Sequence, residues 1–465
     1  MEFWSSDHLR TVLAGQWAVR PKSALTVLGL TTDSRKPAIG KAFLALKGER
    51  TDGHEFLADA ARSGVALLIV DRPEPPVGGW PSGVAVLKVG NTAAALLRLA
   101  GAYRRQLEGT KVIAVAGSNG KTTTVRLIDG VLSASRRGTA SIKSFNNAVG
   151  VPLTILAAKP TDQFLICEAG TNAAGELEQL AQVIEPDIGV ITSIGREHLE
   201  GFGDLSGVLR EESSLFKYLR NGGIAVLCAD APGLVDAVKS FAGRLLGGII
   251  TFGFHKDADV RIAKFESGFE GVRFTLHDRS VFFVPLMGRH NASNAAAAIA
   301  VGRRLGLANE EIEAALGKTR GPEMRLERRE IAGVRFLNDA YNANPESMLA
   351  AAEVLDSVSR ELKPTRRVVV LGDMLELGEA SPASHAEVAR AFGGSAPDLA
   401  IVVGPRFTAE AAAFSTSTRV VALPDLADGR DATAAAMLAA GDLVLLKGSR
   451  GIGLERVIKA FEAPK

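Results

Sequence analysis

Gly117-Ser118-Asn119-Gly120-Lys121-Thr122-Thr123 puts two glycines, a lysine and two threonines into seven residues. The apolar, β-branched run 112–115 comes just before it, and a segment able to form a helix follows. This is the chemistry of a phosphate cradle. Glycines let backbone N–H groups converge on an anion, and a helix start adds its positive dipole end. Lys121 offers a point charge to the β- and γ-phosphates, and Thr122 a hydroxyl ligand for Mg²⁺. The full P-loop pattern has a glycine six residues before the lysine, where this chain has Val115. The short form G-x-x-G-K-T is less specific as a string, but a strand before it and a helix after it restore much of the specificity. The plain alternative is a chance glycine-rich turn.

Other polar residues stand beyond strand-like runs. Glu168 closes 164–167, and His198 follows 188–194. In a doubly wound sheet the carboxyl ends of the strands line the ligand crevice. Glu168 is therefore a candidate Mg²⁺ ligand, with a merely solvated strand-end carboxylate as the alternative. His198 could serve a metal or a phosphate, or be structural. Asn291 and Asn294 lie at a helix start. Asn291 reads as a cap, and Asn294 as an amide that could read an adenine edge. Residues 339–345 form a polar turn after run 334–337, whose plain reading is loop chemistry. Lys447-Gly448-Ser449-Arg450-Gly451 follows run 443–446 and resembles a βα anion site, with two cations and two glycines in five residues.

Three zones must position these groups. The 465 residues suggest about three domains. The expected boundaries are 1–108, 109–318 and 319–465. Apolar runs alternate with helical patterns, which argues for α/β architecture: a small α/β domain, a central P-loop-type parallel sheet and a Rossmann-like last domain. Residues 257–284 alternate more and read as a small antiparallel excursion. Net charge is only +2, and the 6% aromatic residues are not interleaved with basic runs, so no nucleic-acid groove is implied. No apolar stretch reaches the ~18 residues of a membrane span. The N-terminus lacks a basic, then apolar, leader pattern. Cys167 and Cys228 sit in apolar runs and read as core thiols in a reducing compartment. A cytoplasmic monomer is the expectation.

With these pieces in order, the chain resembles the Mur ligase family over nearly its whole length. The stretches that carry the resemblance are Thr32-Asp33-Ser34-Arg35, Phe43-Leu44-Ala45-Leu46-Lys47-Gly48, Asp52-Gly53-His54, Asn146-Asn147-Ala148-Val149-Gly150-Val151-Pro152, Glu197-His198-Leu199-Glu200-Gly201-Phe202-Gly203, Asn338-Asp339-Ala340-Tyr341-Asn342-Ala343-Asn344-Pro345, Leu371-Gly372-Asp373-Met374-Leu375-Glu376-Leu377-Gly378 and Lys447-Gly448-Ser449-Arg450. The resemblance implies an ATP- and Mg²⁺-dependent amide ligase of peptidoglycan precursor synthesis, with ties to cell shape and division. The stretches point to the branch that joins D-alanyl-D-alanine to UDP-N-acetylmuramoyl-tripeptide. An Asp-Asn-Pro-Arg element, usual in the ligase that adds the third amino acid, is absent. A sister ligase with another amine, and a P-loop NTPase switch, are the rival readings.

The resemblance also implies roles. Gly117 to Thr123 bind the ATP phosphates, and Thr122 and Glu168 hold a first Mg²⁺. His198 helps hold a second. Asn294 contacts adenine, Arg325 reaches the γ-phosphate and Asp339 holds the ribose. Ser34, Arg35, Asp52 and His54 hold the uridine nucleotide, and Asn146 and Asn147 face the muramoyl peptide. Lys447, Ser449 and Arg450 are further substrate-binding candidates. One departure stands out. The family usually has a carbamylated lysine before an Ile/Leu-Phe pair in the helix after His198, and its carbamate binds the second Mg²⁺. Here that position is Glu212. Its carboxylate needs no CO₂, but it is shorter, so metal contact could run through a water.

Overall fold

The computed structural model describes residues 3–48, 51–72, 74–75 and 78–463. The chain has three sheets joined by helices, as expected of an α/β protein. By contact it divides into two compact units. The smaller is Met1–Val112, Arg137–Ala169 and Gln179–Pro186, and the larger is Ile113–Arg136, Gly170–Glu178 and Asp187–Lys465.

In the smaller unit, three parallel neighbours (Ala42–Leu44, Leu67–Val70 and Ala85–Lys88) form the middle of a five-stranded sheet. Side chains alternate across a strand. Leu67, Ile69, Leu44 and Leu87 therefore enter one apolar cluster, and Leu68, Val70, Phe43 and Val86 another. Burial on both faces explains why these strands read as unbroken apolar runs rather than alternating ones. A second parallel pair, Gly138–Ala140 with Phe164–Glu168, presents Glu168 at its carboxyl end. Arg104 is fully buried, and its Nε and Nη2 donate to the carbonyls of Ile184 and Glu185 at 2.7 Å each. It closes the end of the helix Glu176–Ile184, where orphan carbonyls and the negative dipole end favour a cation.

In the larger unit, Lys111–Ala116, Ile188–Ile191, Gly223–Cys228 and Leu246–Gly253 lie side by side in parallel. Val260–Ser267, Val272–Leu276 and Val281–Val284 continue the sheet, and the last two are antiparallel additions, as the alternation in 257–284 predicts. The helices Lys121–Ser133 and Arg289–Arg304 follow the phosphate-loop motif and the Gly288 turn. The last sheet runs Glu327–Ile331, Val334–Asp339, Asp442–Lys447, Arg366–Gly372, Leu399–Val403, Arg419–Leu423. All its pairs are parallel except the first. Its odd and even residues again split between two clusters, Val369 and Leu371 against Val368 and Val370.

Candidate functional site

The loop 117–121 bends because its glycines allow it to. Gly117 has φ +118° and Gly120 has φ +85°, a region that side chains rarely adopt. A Cβ at Gly117 would fall 2.4 Å from Thr192 Oγ1, and one at Gly120 would fall 2.3 Å from Asn294 Oδ1. The loop rests on the end of the neighbouring strand. Ser118 N donates to Ser193 O at 2.9 Å, Asn119 N to Ser193 Oγ at 2.9 Å, and Thr192 Oγ1 to Asn119 O at 2.6 Å. Ser118 and Asn119 thus have amides committed to the scaffold. The amides from Lys121 onward open the helix Lys121–Ser133, where the first N–H groups lack an intrahelical acceptor. Lys121 Nζ folds back onto Gly117 O at 2.6 Å and Ser118 O at 3.2 Å. Thr122 and Thr123 are buried in the first turn.

Carboxylates gather on the lysine. Glu197 Oε2 lies 3.4 Å from Lys121 Nζ, and Glu212 Oε2 accepts from Gly117 N at 2.7 Å. Burial pushes Glu212 up to about 7; the Lys121 charge pulls the other way, and Glu197 adds to the rise. Burial also works against the Glu197 charge, but Lys121 and His198 outweigh it and its pKa lies below the ordinary value. His198 caps a short helix with φ +51°. Its Nδ1 lies 2.6 Å from Glu376 Oε2 and its Nε2 3.4 Å from Glu197 Oε1. Burial lowers its pKa, yet the two carboxylates raise it further, so the net shift is upward. The adjacent Glu211 does different work. It accepts from Thr171 Oγ1, Gly175 N and Leu177 N at 2.8–3.0 Å and fixes the segment 171–177.

Asn294 stands against Gly120, its Nδ2 donating to Asn291 Oδ1 at 3.1 Å. The helix already starts at Arg289, so Asn291 lies inside its first turn and donates to Met287 O at 2.7 Å rather than capping. Arg325 brings Nη2 to 3.2 Å from Thr122 Oγ1, with its guanidinium 4.3 Å from the Tyr341 ring centroid. Asn344 Nδ2 donates to Asn119 Oδ1 at 2.9 Å. Asp339 pairs with the buried Lys447, Nζ to Oδ2 2.7 Å, and accepts from Leu326 N. Ser449 Oγ accepts from Leu375 N, and Arg450 pairs with Glu455 at the surface. The two cations of the 447–451 turn therefore do not converge on one point.

In the smaller unit, Asn146 Nδ2 donates to Glu168 Oε1 at 3.0 Å. Asn147 Oδ1 accepts from Val149 N and Gly150 N and sets the start of a helix. His54 is buried between Asp52 (2.7 Å) and Asp71 (3.1 Å). Burial opposes the Asp52 charge, but the His54 N–H and Arg72 outweigh it and hold its pKa well below the carboxylate range. Arg35 is exposed and grips Asp33; Ser34 lies beside that pair in the sequence.

Glu197, Ser193, Tyr341 and Asn344 escaped residue-by-residue reading, although each lies in or beside a conspicuous motif. So did His290. Its Nδ1 is sealed from solvent with no hydrogen-bond partner among the described residues. Burial, with the Lys447 charge, pushes it down to about 4 against the pull of Asp339. Above pH ~6.5 the ring is neutral whether folded or unfolded. Below that, only the unfolded chain takes the proton, so stability falls until about pH 4. The expected loss is about 2 kcal/mol at pH 5 relative to pH 8. Denaturant melts from pH 8 to 5 should show a smaller pH slope for His290→Gln than for the parent; equal slopes contradict this.

Among the described residues, no three histidine, cysteine or carboxylate groups gather as a ready-made metal cluster. No helix is long and apolar enough to cross a membrane. Three family descriptions match: the Mur ligase family catalytic domain at residues 26–104, the Mur ligase middle domain at 115–302, and the Mur ligase glutamate ligase domain at 324–450. A Bacillus subtilis protein named UDP-N-acetylmuramoyl-tripeptide–D-alanyl-D-alanine ligase is 36% identical over 96% of this chain and 95% of its own length. The MurF crystal structure from Acinetobacter baumannii is 30% identical, with a TM-score of 0.86 over 99% of this chain and 98% of that one. MurF ligase from Thermotoga maritima, solved in complex with ADP, is 26% identical, with a TM-score of 0.78 over 93% and 97%.

Proposed function

The chain belongs to the Mur ligase family, and from that footing we propose that it joins D-alanyl-D-alanine to UDP-N-acetylmuramoyl-tripeptide with ATP, in peptidoglycan precursor synthesis. The observation that carries the reading is the approach of Arg325 to Thr122 at 3.2 Å. Arg325 lies in the glutamate ligase match and Thr122 in the middle-domain match. Two separately recognised domains thus bring a guanidinium to the first turn of the phosphate loop, where a transferring γ-phosphoryl group needs cations.

The chemistry follows. The terminal carboxylate of the tripeptide attacks the γ-phosphorus of ATP, giving an acyl phosphate and ADP. The amine of D-alanyl-D-alanine attacks the acyl carbon, phosphate leaves with the C–O electron pair, and the proton released from the amine nitrogen passes to the departing phosphate or to water. Lys121 and Arg325 neutralise charge on the phosphoryl group as it moves. Asn294 is assigned the adenine contact by the family resemblance; its amide lies beside Gly120 and donates to Asn291. Asp339 could meet the ribose only by sharing its carboxylate with Lys447. The uridine nucleotide falls to the first domain, 1–108, with ATP on 109–318 and the amine on 319–465. A cytoplasmic monomer completes the reading.

The cradle suits a phosphate, since the first N–H groups of the helix Lys121–Ser133 lack an intrahelical acceptor and Lys121 opens that helix. In the larger unit, the oxygen donors Thr122 and Glu212 both belong to the surroundings of the phosphate loop and suit a hard cation, and Mg²⁺ held there would offset phosphate charge. In the smaller unit, Glu168 is a donor of the same kind. His198 is a weaker match to Mg²⁺, with an imidazole nitrogen for a ligand. Glu212 takes the place of the carbamate, so activity should not depend on added bicarbonate. Glu212→Ala should need about tenfold more Mg²⁺ for half-maximal rate. Parental activity at limiting Mg²⁺ would refute the role.

The decisive assay is phosphate release with UDP-muramoyl tripeptide, with and without D-alanyl-D-alanine. Release that requires both substrates supports the ligase. Release with another amino acid as the better amine marks a sister ligase. Turnover of ATP with neither substrate marks an NTPase switch.

A further inference from the structure

Arg196 follows the strand Ile188–Ile191 in the middle-domain match, and it is not part of the phosphate loop. Its partners all come from the glutamate ligase match. Arg196 Nε donates to Glu346 Oε1 at 2.7 Å and its backbone N to Glu346 Oε2 at 3.1 Å. Nη1 and Nη2 donate to the two oxygens of Glu387 at 2.6 and 3.3 Å. One guanidinium thus spans two helices, Pro345–Leu362 through its first turn and Ser381–Gly394 through its middle. The planar fork matches a carboxylate with two parallel bonds, which a lysine cannot do.

The grip falls at a telling place. Glu346 directly follows Pro345, the first residue of its helix, and the cap Asn344 is the residue bonded to Asn119 of the phosphate loop. A Cβ at Gly195 would already lie 3.4 Å from the Glu346 carboxyl carbon, so the loop and the helix start are packed against each other. Tyr341, which faces the Arg325 guanidinium, stands three residues before Asn344. The helix start that Arg196 holds is therefore continuous with the segment that steadies Arg325. Isolated surface ion pairs hold little, but here all three side chains are about 28–39% exposed, three hydrogen bonds share one guanidinium, and the Arg196 backbone N–H adds a fourth.

We propose that Arg196 is a positioning residue: gripped by Glu346 and Glu387, it locks the ligase-domain helices onto the middle domain and so keeps Arg325 at Thr122. This rests on the ligase reading, in which Arg325 serves the γ-phosphoryl group. The side-chain nitrogens of Arg196 are engaged by the two carboxylates, so its role runs through them.

The test is charge exchange, read in two ways. Arg196→Glu and Glu387→Arg alone should each lower kcat at least thirtyfold, with the ATP KM changed less than threefold. Combined, they should recover at least a third of the parental kcat. Arg196→Lys should fall between parent and reversal. The second readout needs no turnover. Spin labels on cysteines placed at the exposed Asp236 and Lys459 report the distance between the two domains; the native Cys167 and Cys228 are buried. The distribution should broaden in each single reversal and narrow again in the double. No recovery in the double, or distances unchanged in the single reversals, overturns the lock. If the parent shows no amine-dependent ligation, the ligase reading fails instead, and the distances still judge the lock.

Discussion

Lys121→Ala should abolish ligation, lowering kcat by roughly 10³-fold, while the affinity for the UDP-linked substrate stays within about twofold. The loss has two sources. The first is the missing cation at the phosphoryl group; removing one such preorganised electrostatic group typically costs 10²–10³ in kcat. The second lies in the ground state. Lys121 Nζ stands 3.4 Å from Glu197, and its charge holds down the pKa of both Glu197 and Glu212. Without it, the Glu197 charge acts on the buried Glu212 unopposed by the lysine, and Glu212, already near 7, rises further and holds its proton at neutral pH. The loop also loses the bonds from Nζ to Gly117 O and Ser118 O. Steady-state kinetics and calorimetric titration of the UDP-linked substrate check this together. Equal loss of substrate affinity and ligation would mean that the variant unfolds, or that the first domain does not hold that substrate.

Arg325→Ala should lower kcat by about 10²-fold or more and change the ATP KM far less. A guanidinium that meets the phosphoryl group mainly as it transfers contributes to the transition state rather than to binding. Arg325→Lys should recover little, because an ammonium supplies charge without the planar fork. Tyr341→Phe keeps the ring face 4.3 Å from the guanidinium and should stay close to the parent, whereas Tyr341→Ala should share part of the Arg325 defect. A rise in KM with kcat unchanged would place Arg325 in ground-state binding and remove it from the transfer step.

How legible these sites were depended on the distance along the chain between partners. The phosphate loop could be read directly, because its chemistry lies within seven residues and its flanking strand and helix are adjacent. The apolar runs near 67–70, 111–116, 188–191, 366–372 and 442–447 could be read for a similar reason: strands buried on both faces show no polar interruption. The first forty-odd residues could not. Their strands, such as Gln16–Val19 and Leu30–Thr31, are too short for a periodic signal. Gly138–Ala140 and the edge strand Glu327–Ile331, with its exposed and charged residues, failed likewise.

Within the site, residue types were visible but their commitments were not. Lys447 and Arg450 look alike in a glycine-rich turn. Only the fold brings Asp339 to Lys447 and turns Arg450 toward Glu455. Glu211 and Glu212 are neighbours in sequence. One faces the backbone of 171–177 and the other the phosphate loop, a difference set by helix geometry. The Arg196 grip joins residues 150 and 191 positions apart, beyond the reach of any local pattern. Asn147 and His54 sit in motifs that suggested substrate contact; the Asn147 Oδ1 is engaged by backbone N–H groups and both His54 ring nitrogens by neighbouring carboxylates.

The central claim is that the bend at 117–123 grips a triphosphate with Arg325 close by. The most direct test is a crystal structure with a non-hydrolysable ATP analogue and the UDP-linked tripeptide. The β- and γ-phosphates should lie within hydrogen-bond reach of Lys121 Nζ and the amides opening the helix Lys121–Ser133, with Arg325 turned from Thr122 toward the γ-phosphate. A nucleotide bound elsewhere, with the bend holding no phosphate, would contradict the account.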